Sequence, residues 1–408
     1  MSVLPEAAAG HQPTDAPLSK PARRQCKQGL AVLLLLFGLF AIWVPHRLGG
    51  KQEPVMADFT AFYAAGYMTR VGQAHRLYAG ETFAQTQAAL LPHLLEARGY
   101  YNPPLFALLI SPLSRLPYPA AAALWTAFSL VFLFLSARLL GCRRIEEPAL
   151  LAVGFLPFWG ALFEGQNSPL VVAVWSLTYV LWARGEAFLA GLATSLLFFK
   201  FHLGTGLVLM VLLPPCSVRR AGLGVFCGWS AVVALHGLLM PSSTRAFIDW
   251  LSWATSKSGV PIDMPAVTSL RGMFHHALPD WPLRGEALAK LAALCGLAWG
   301  ARKALQVRED KPLILALAVF VTLWASPHGW YHDWVLALVP LFVFAAEGRV
   351  RLRRQWLALY GLVSVGGLLM VLMALLQAYM GFRRYLQGAP LVLLLCAMWL
   401  WRLRRGSL

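Results

Sequence analysis

Long apolar runs recur through the whole sequence, and they decide what the chain can become. They fall at about 30–44, 104–116, 119–140, 148–163, 168–183, 188–213, 221–240, 286–301, 312–326, 333–346, 356–378 and 388–401. A helix perpendicular to a bilayer needs ~20 apolar residues to cross its hydrocarbon core, where the backbone must bond within its own segment. The expected fold is therefore all-α: a polytopic integral membrane protein with about twelve spans. Several runs fall short of a full span, so broken or re-entrant helices are expected among them. The run at 104–116 is where the count is most easily wrong by one hairpin. Composition agrees: 58% of residues are apolar and 13% charged, against ~45–50% and ~25% in soluble domains. That excludes a water-soluble enzyme, a disordered chain and a disulfide-stapled secreted module.

The net charge is +17, but the basic residues sit in short runs between apolar stretches. That pattern holds cytoplasmic loops against anionic lipid and does not suggest nucleic acid. Residues 1–27, ending in Lys20, Arg23, Arg24 and Lys27, read as a flexible cytoplasmic tail, and 28–408 as one membrane domain. Twelve spans return both termini to the cytoplasm. Arg219/Arg220, Arg302–Lys311, Arg349–Arg354 and Arg402/Arg404/Arg405 then lie inside, whereas Arg143/Arg144 and Arg383/Arg384 lie outside, against the positive-inside rule. Two hydrophilic segments, about 47–103 and 241–285, fall on the external side. The six cysteines are scattered and form neither a disulfide framework nor a zinc site.

The first external segment contains Ala57-Asp58-Phe59-Thr60-Ala61-Phe62-Tyr63. Phe59, Phe62, Tyr63, Gly66 and Tyr67 share one helix face, which suits a helix lying along the membrane surface with its aromatic side among headgroups. Asp58 stands at the start of that helix. It reads either as a plain N-cap or as a general base held at the interface. A second helix is expected over Thr82–Arg98, followed by Tyr100-Tyr101-Asn102-Pro103-Pro104, whose prolines lead into the next helix.

With DFTAFYAAG, RLYAG and YYNPPLFALLISPLSRLPYPAAAALW in hand, the sequence resembles glycosyltransferase family 87, polyprenol-phosphate-mannose-dependent mannosyltransferases of the GT-C superfamily. Gly165-Gln166-Asn167, Lys200 with Gly204 in FFKFHLG, and Ser326-Pro327-His328-Gly329-Trp330-Tyr331-His332-Asp333-Trp334 follow in the same order, so the resemblance spans roughly 50–345. It implies a GT-C-like helical bundle with a catalytic acidic residue in the first external loop, a position that Asp58 matches. One base suffices for such a transfer, because the donor phosphate leaves without a protonating acid.

The resemblance also implies groups that meet the leaving phosphate. His332 matches the histidine of the family's S-P-x-x-W-x-H pattern, and Asp333 stands where a second histidine is common. Lys200, a charge inside an apolar run, is either a phosphate ligand or a snorkelling side chain. Tyr101, Gln166, Asn167, His328 and Tyr331 are candidates to line the site. The twelve-span topology, however, puts 164–167 on the opposite side from Asp58. His275/His276 with Arg271 read mainly as an ordinary solvated loop, and Trp250/Trp253 and Trp330/Trp334 as interfacial belts.

No DxD pair, P-loop or GxGxxG accompanies these residues, so no nucleotide-sugar donor, ATP, metal or other cofactor is expected. The expected activity is hexose transfer, mannose by the family's label, from a polyprenyl-phosphate donor to a lipid or glycan acceptor at the outer face of a bacterial inner membrane. The competing readings are a transporter or flippase of a lipid-linked substrate and a non-catalytic scaffold, neither of which needs a base at Asp58.

Overall fold

A computed structural model describes residues 56–380, apart from 93, 95, 96, 256–266, 279 and 280. The N-terminal tail, the first apolar run and the last one lie outside the described residues. Among those described the chain is helical, and its only extended pairing is a single bridge between Val267 and Trp330.

Helix α1 (Ala57–Arg70) starts after Met56, whose φ of 69° and ψ of 54° turn the chain sharply into it. Its aromatic face does not lie among headgroups, as its sequence suggests. Phe59, Phe62 and Tyr63 are buried and pack on Phe106, Tyr118 and Trp125. The small residues between them (Ala61, Ala64, Ala65) let neighbours close in on all sides, so α1 is a core helix. Helix α2 (Gly80–Leu90) ends well before Arg98, as Pro92 just beyond disfavours continuation. Arg98 N donates to the buried Gln87 Oε1 of α2 at 2.8 Å.

The 104–116 run forms α3 (Pro104–Ile110) and a 3₁₀ turn over Ser111–Arg115. Together they are shorter than the ~30 Å hydrocarbon core. They run along α1, where Gly66 faces the Ile110 carbonyl and Arg70 Nε donates to Ser114 Oγ at 3.1 Å. The chain then doubles back, with Tyr63 Oη donating to Leu116 O at 2.8 Å and Tyr118 Oη to Met56 O at 3.1 Å. This run packs back against α1 and is too short for a perpendicular span.

Helix α4 (Tyr118–Leu139) is followed by a pair broken at Gly154, α5 (Glu146–Val153) and α6 (Leu156–Phe163), and then by α7 (Ser168–Ala183). The 188–213 run is also not one continuous helix. It divides into α8 (Ala187–Ala193), a 3₁₀ stretch over Thr194–Leu203 and α9 (Thr205–Val211), with non-helical dihedrals at Lys200 (φ −144°, ψ 50°). Lys200 reaches Ser168 at the start of α7. Trp175 and Trp182 of α7 then donate to Leu203 O and Leu213 O at 3.1 and 3.0 Å, so the returning limb descends beside α7. A lysine in mid-run is costly in a bilayer, and the break carries it to a helix end where polar partners wait.

Helix α10 (Val218–Leu239) packs on α8 so closely that a Cβ on Gly191 would lie 2.1 Å from Ala221 O, an approach only small residues permit. Beyond it lie α11 (Pro241–Thr255), α12 (Leu270–Ala277), α13 (Pro282–Gln306) and α14 (Lys311–Ala325). A 3₁₀ helix over Tyr331–Ala337, α15 (Leu338–Ala346) and α16 (Val350–Met380) follow. Among the described residues, α4 and α10 are long and apolar enough to cross a membrane. Phe226, Val233 and Leu238 of α10 are 70, 68 and 77% exposed, an outward apolar face unusual in a soluble monomer.

Candidate active site

The site is assembled around a four-residue loop, Glu164–Asn167, that joins α6 to α7. Gly165 has φ of +69°, and a Cβ there would sit 2.5 Å from the Phe59 Cβ, so glycine alone lets the loop press on α1. Trp125 Nε1 pins the loop by donating to Gly165 O at 2.8 Å. No side chain caps α1. Instead, the Asp58 and Phe59 amides donate to the Glu164 carbonyl at 3.0 and 3.1 Å, satisfying donors that a helix start leaves free. The Asp58 side chain is thereby released from capping, and its Oδ2 accepts a hydrogen bond from Gln166 Nε2.

Two further titratable groups face Asp58. Glu164 Oε2 accepts from His332 Nδ1 at 2.7 Å. A carboxylate only accepts, so Nδ1 carries the proton of this bond. One ligand atom each from Asp58, Glu164 and His332 lies within 4.8 Å of the other two. Burial pushes the Asp58 carboxyl up from its ordinary value, and the Glu164 charge adds to this; His332, the Gln166 hydrogen bond and Arg98 pull the other way. The net upward shift makes Asp58 a stronger base than a solvated aspartate.

Behind His332 lies a buried ionic knot. Asp333 Oδ1 is 2.5 Å from Lys200 Nζ and accepts from Ser168 Oγ at 3.0 Å, while Oδ2 accepts from Trp330 N at 3.1 Å. Lys200 in turn donates to Ser168 Oγ at 2.9 Å. His332 Nε2 is 3.6 Å from Asp333 Oδ1, beyond hydrogen-bond reach. Asp333 thus fixes the 3₁₀ helix that presents His332.

The remaining sequence candidates divide. Tyr101 is 52% exposed and stacks on Trp250 of α11 at a centroid distance of 5.7 Å, forming a rim. Asn167 Nδ2 donates to Asn102 Oδ1 at 3.2 Å and so ties the loop to the Tyr101 segment. His328 stands further off: Arg271 Nη1 is 3.2 Å from its Nδ1, and burial with that guanidinium lowers its pKa to about 4. Tyr331 turns away, donating to Val363 O of α16 at 3.0 Å, and packs without lining the site. His202, which sequence reasoning passed over, has a buried Nε2 with no hydrogen-bond partner and a ring 6.0 Å from that of His328.

The loop's position also corrects the twelve-span topology. Gln166 bonds to Asp58, so the two lie on one face of the fold and not on opposite sides of it. The Asp58–Glu164–His332 set is also the donor set a divalent cation could take among the described residues. A metal at His332 Nδ1 would replace the proton shared with Glu164.

The family model of glycosyltransferase family 87 matches residues 100–327 of the chain. Neither the curated proteins nor the solved structures contain a match. The matched stretch includes Tyr101, Glu164, Gln166, Asn167 and Lys200, whereas Asp58 and His332 flank it.

Proposed function

The chain belongs to glycosyltransferase family 87, and from that premise we propose that it transfers a hexose, mannose by the family's label, from a polyprenyl-phosphate donor to a lipid or glycan acceptor. The reaction runs at the outer face of a bacterial inner membrane. Asp58 takes the acceptor hydroxyl's proton as that oxygen attacks the anomeric carbon. The bond to the donor phosphate breaks, and the leaving phosphate keeps its electron pair. The observation that carries this reading is the Asp58 carboxylate itself, freed from capping and made more basic by burial and by Glu164.

His332 faces the departing phosphate with positive charge or a donor N–H. Lys200 serves the same end indirectly in this reading. Its ammonium is taken by Asp333, so it steadies the segment that carries His332 and does not itself reach the phosphate. With 104–116 and 188–213 both folding back, ten spans replace twelve in the topology we favour. Both termini stay cytoplasmic, and Arg143/Arg144 move inside, in keeping with the positive-inside rule.

The test is purified protein in lipid with radiolabelled polyprenyl-phosphate-mannose and candidate acceptors. Asp58→Asn keeps shape and removes the base, and should lose at least ~100-fold in rate, the low end of general-base contributions. Wild-type turnover by that variant would refute the base, whereas no transfer by the wild-type protein itself would favour a transporter or scaffold.

A further inference from the structure

We propose that Glu164 is a positioning residue for the transfer, holding the base and the donor-side histidine in one frame through its backbone and its side chain separately. This rests on the Asp58 reading given above. The Glu164 carbonyl accepts from the Asp58 and Phe59 amides at 3.0 and 3.1 Å, which sets the start of α1 and the height of Asp58. The carboxylate accepts from His332 Nδ1 at 2.7 Å, which fixes the ring's orientation beside Asp58. Asp58 and His332 are 274 residues apart, and within the described contacts Glu164 is the residue that bonds to both.

A purely structural residue would not need this chemistry. The Glu164 side chain is 50% exposed, so its carboxylate fills no core space. It is also a second anion within 4.8 Å of Asp58, a like-charge approach that a capping role would avoid. The groups that face Asp58 are Glu164 and Gln166 from the loop, His332 from the 3₁₀ helix, and Arg98 and Tyr101 from the 97–103 segment. Of these, Glu164 alone adds an anion whose removal should weaken the base, since an adjacent negative charge disfavours ionisation.

The two functions separate experimentally because every side-chain variant keeps the carbonyl. Glu164→Gln retains an oxygen for His332 and removes the charge, whereas Glu164→Ala removes the grip as well. In Glu164→Gln, kcat should fall about tenfold, less than the loss of the base itself, and the acid limb of the kcat/KM profile should move to lower pH. In Glu164→Ala, the KM for the donor should rise in addition. Thermal unfolding in lipid reports whether either variant has lost its fold, and Asp58→Asn is run alongside. An unmoved acid limb in a folded Glu164→Gln overturns the proposal, whether kcat falls or not. If Asp58→Asn turns over at the wild-type rate, the base reading fails first; an inactive Asp58→Asn beside an unaltered Glu164→Gln refutes Glu164 alone.

Discussion

Lys200 Nζ lies 2.5 Å from Asp333 Oδ1, with both side chains almost wholly out of solvent, 133 positions apart in the chain. A buried pair contributes little net stability, yet removing one partner strands the other and costs ~3–5 kcal/mol. Lys200→Met should therefore lower the unfolding midpoint sharply, since Asp333 keeps only Ser168 and Trp330 N as donors. Asp333→Asn should do the same. The double variant should lose much less than the two losses added, and strict additivity would show that the pair is not coupled.

Gly165 is the point at which the loop touches α1. An alanine there incurs ~1–2 kcal/mol for the left-handed backbone alone, and its methyl would meet Phe59 Cβ at 2.5 Å and Met56 Cε at 2.9 Å. Since α1 must shift to make room, Gly165→Ala should lose more activity than its stability loss explains. Transfer rates compared with Gly72→Ala, a positive-φ glycine with nothing within 4 Å, separate the two effects. Equal activity in both variants would mean that the loop does not set Asp58.

Sequence alone made Asp58, Gln166, Lys200 and His332 conspicuous, each by a local anomaly: an acid at a helix start, polar groups at the edge of an apolar run, a charge inside one, a histidine at the end of another. Their main partners were not visible, because Asp58 and Gln166, Lys200 and Asp333, and His332 and Glu164 stand 108, 133 and 168 positions apart. Glu164 is a polar residue at the end of an apolar run, and nothing local says that its carboxylate meets His332. In the sequence Asp333 merely stands where a second histidine is common, and in the fold it anchors the segment that carries His332. Helix positions were largely legible from apolar periodicity. Crossings were not, because hydropathy cannot separate a span from a hairpin folded on α1 or from a run that breaks at Lys200 and returns along α7.

His332 binds Glu164 through a protonated Nδ1, so the proton and a metal compete for that atom. Transfer should persist in saturating chelator and gain little from added Mg²⁺ or Mn²⁺. His332→Ala should raise the KM for the donor more than the KM for the acceptor. Activity lost to chelator and restored by one divalent ion would instead assign the three side chains to a metal, with Asp58 a ligand and not the base.

Asp58 should destabilise the protein it serves. Its pKa in the fold is raised above the ordinary 3.8, chiefly by burial, so between those two values the folded state holds a proton that the unfolded chain has released. By linkage, stability falls as pH rises through that window and stays lower above it. An asparagine in its place would carry no such charge and would still accept from Gln166. Asp58→Asn should therefore unfold at a higher temperature than the wild type at pH 7, with the gap closing as the pH approaches 4. Turnover has the opposite dependence, because the base acts only when ionised, so wild-type activity should fall as acid restores stability. Parallel melting curves and rate profiles across pH 4–8 test both trends. A variant that melts earlier than the wild type at pH 7 would mean that the carboxylate is held by favourable contacts, and that its basicity is not what the site exploits.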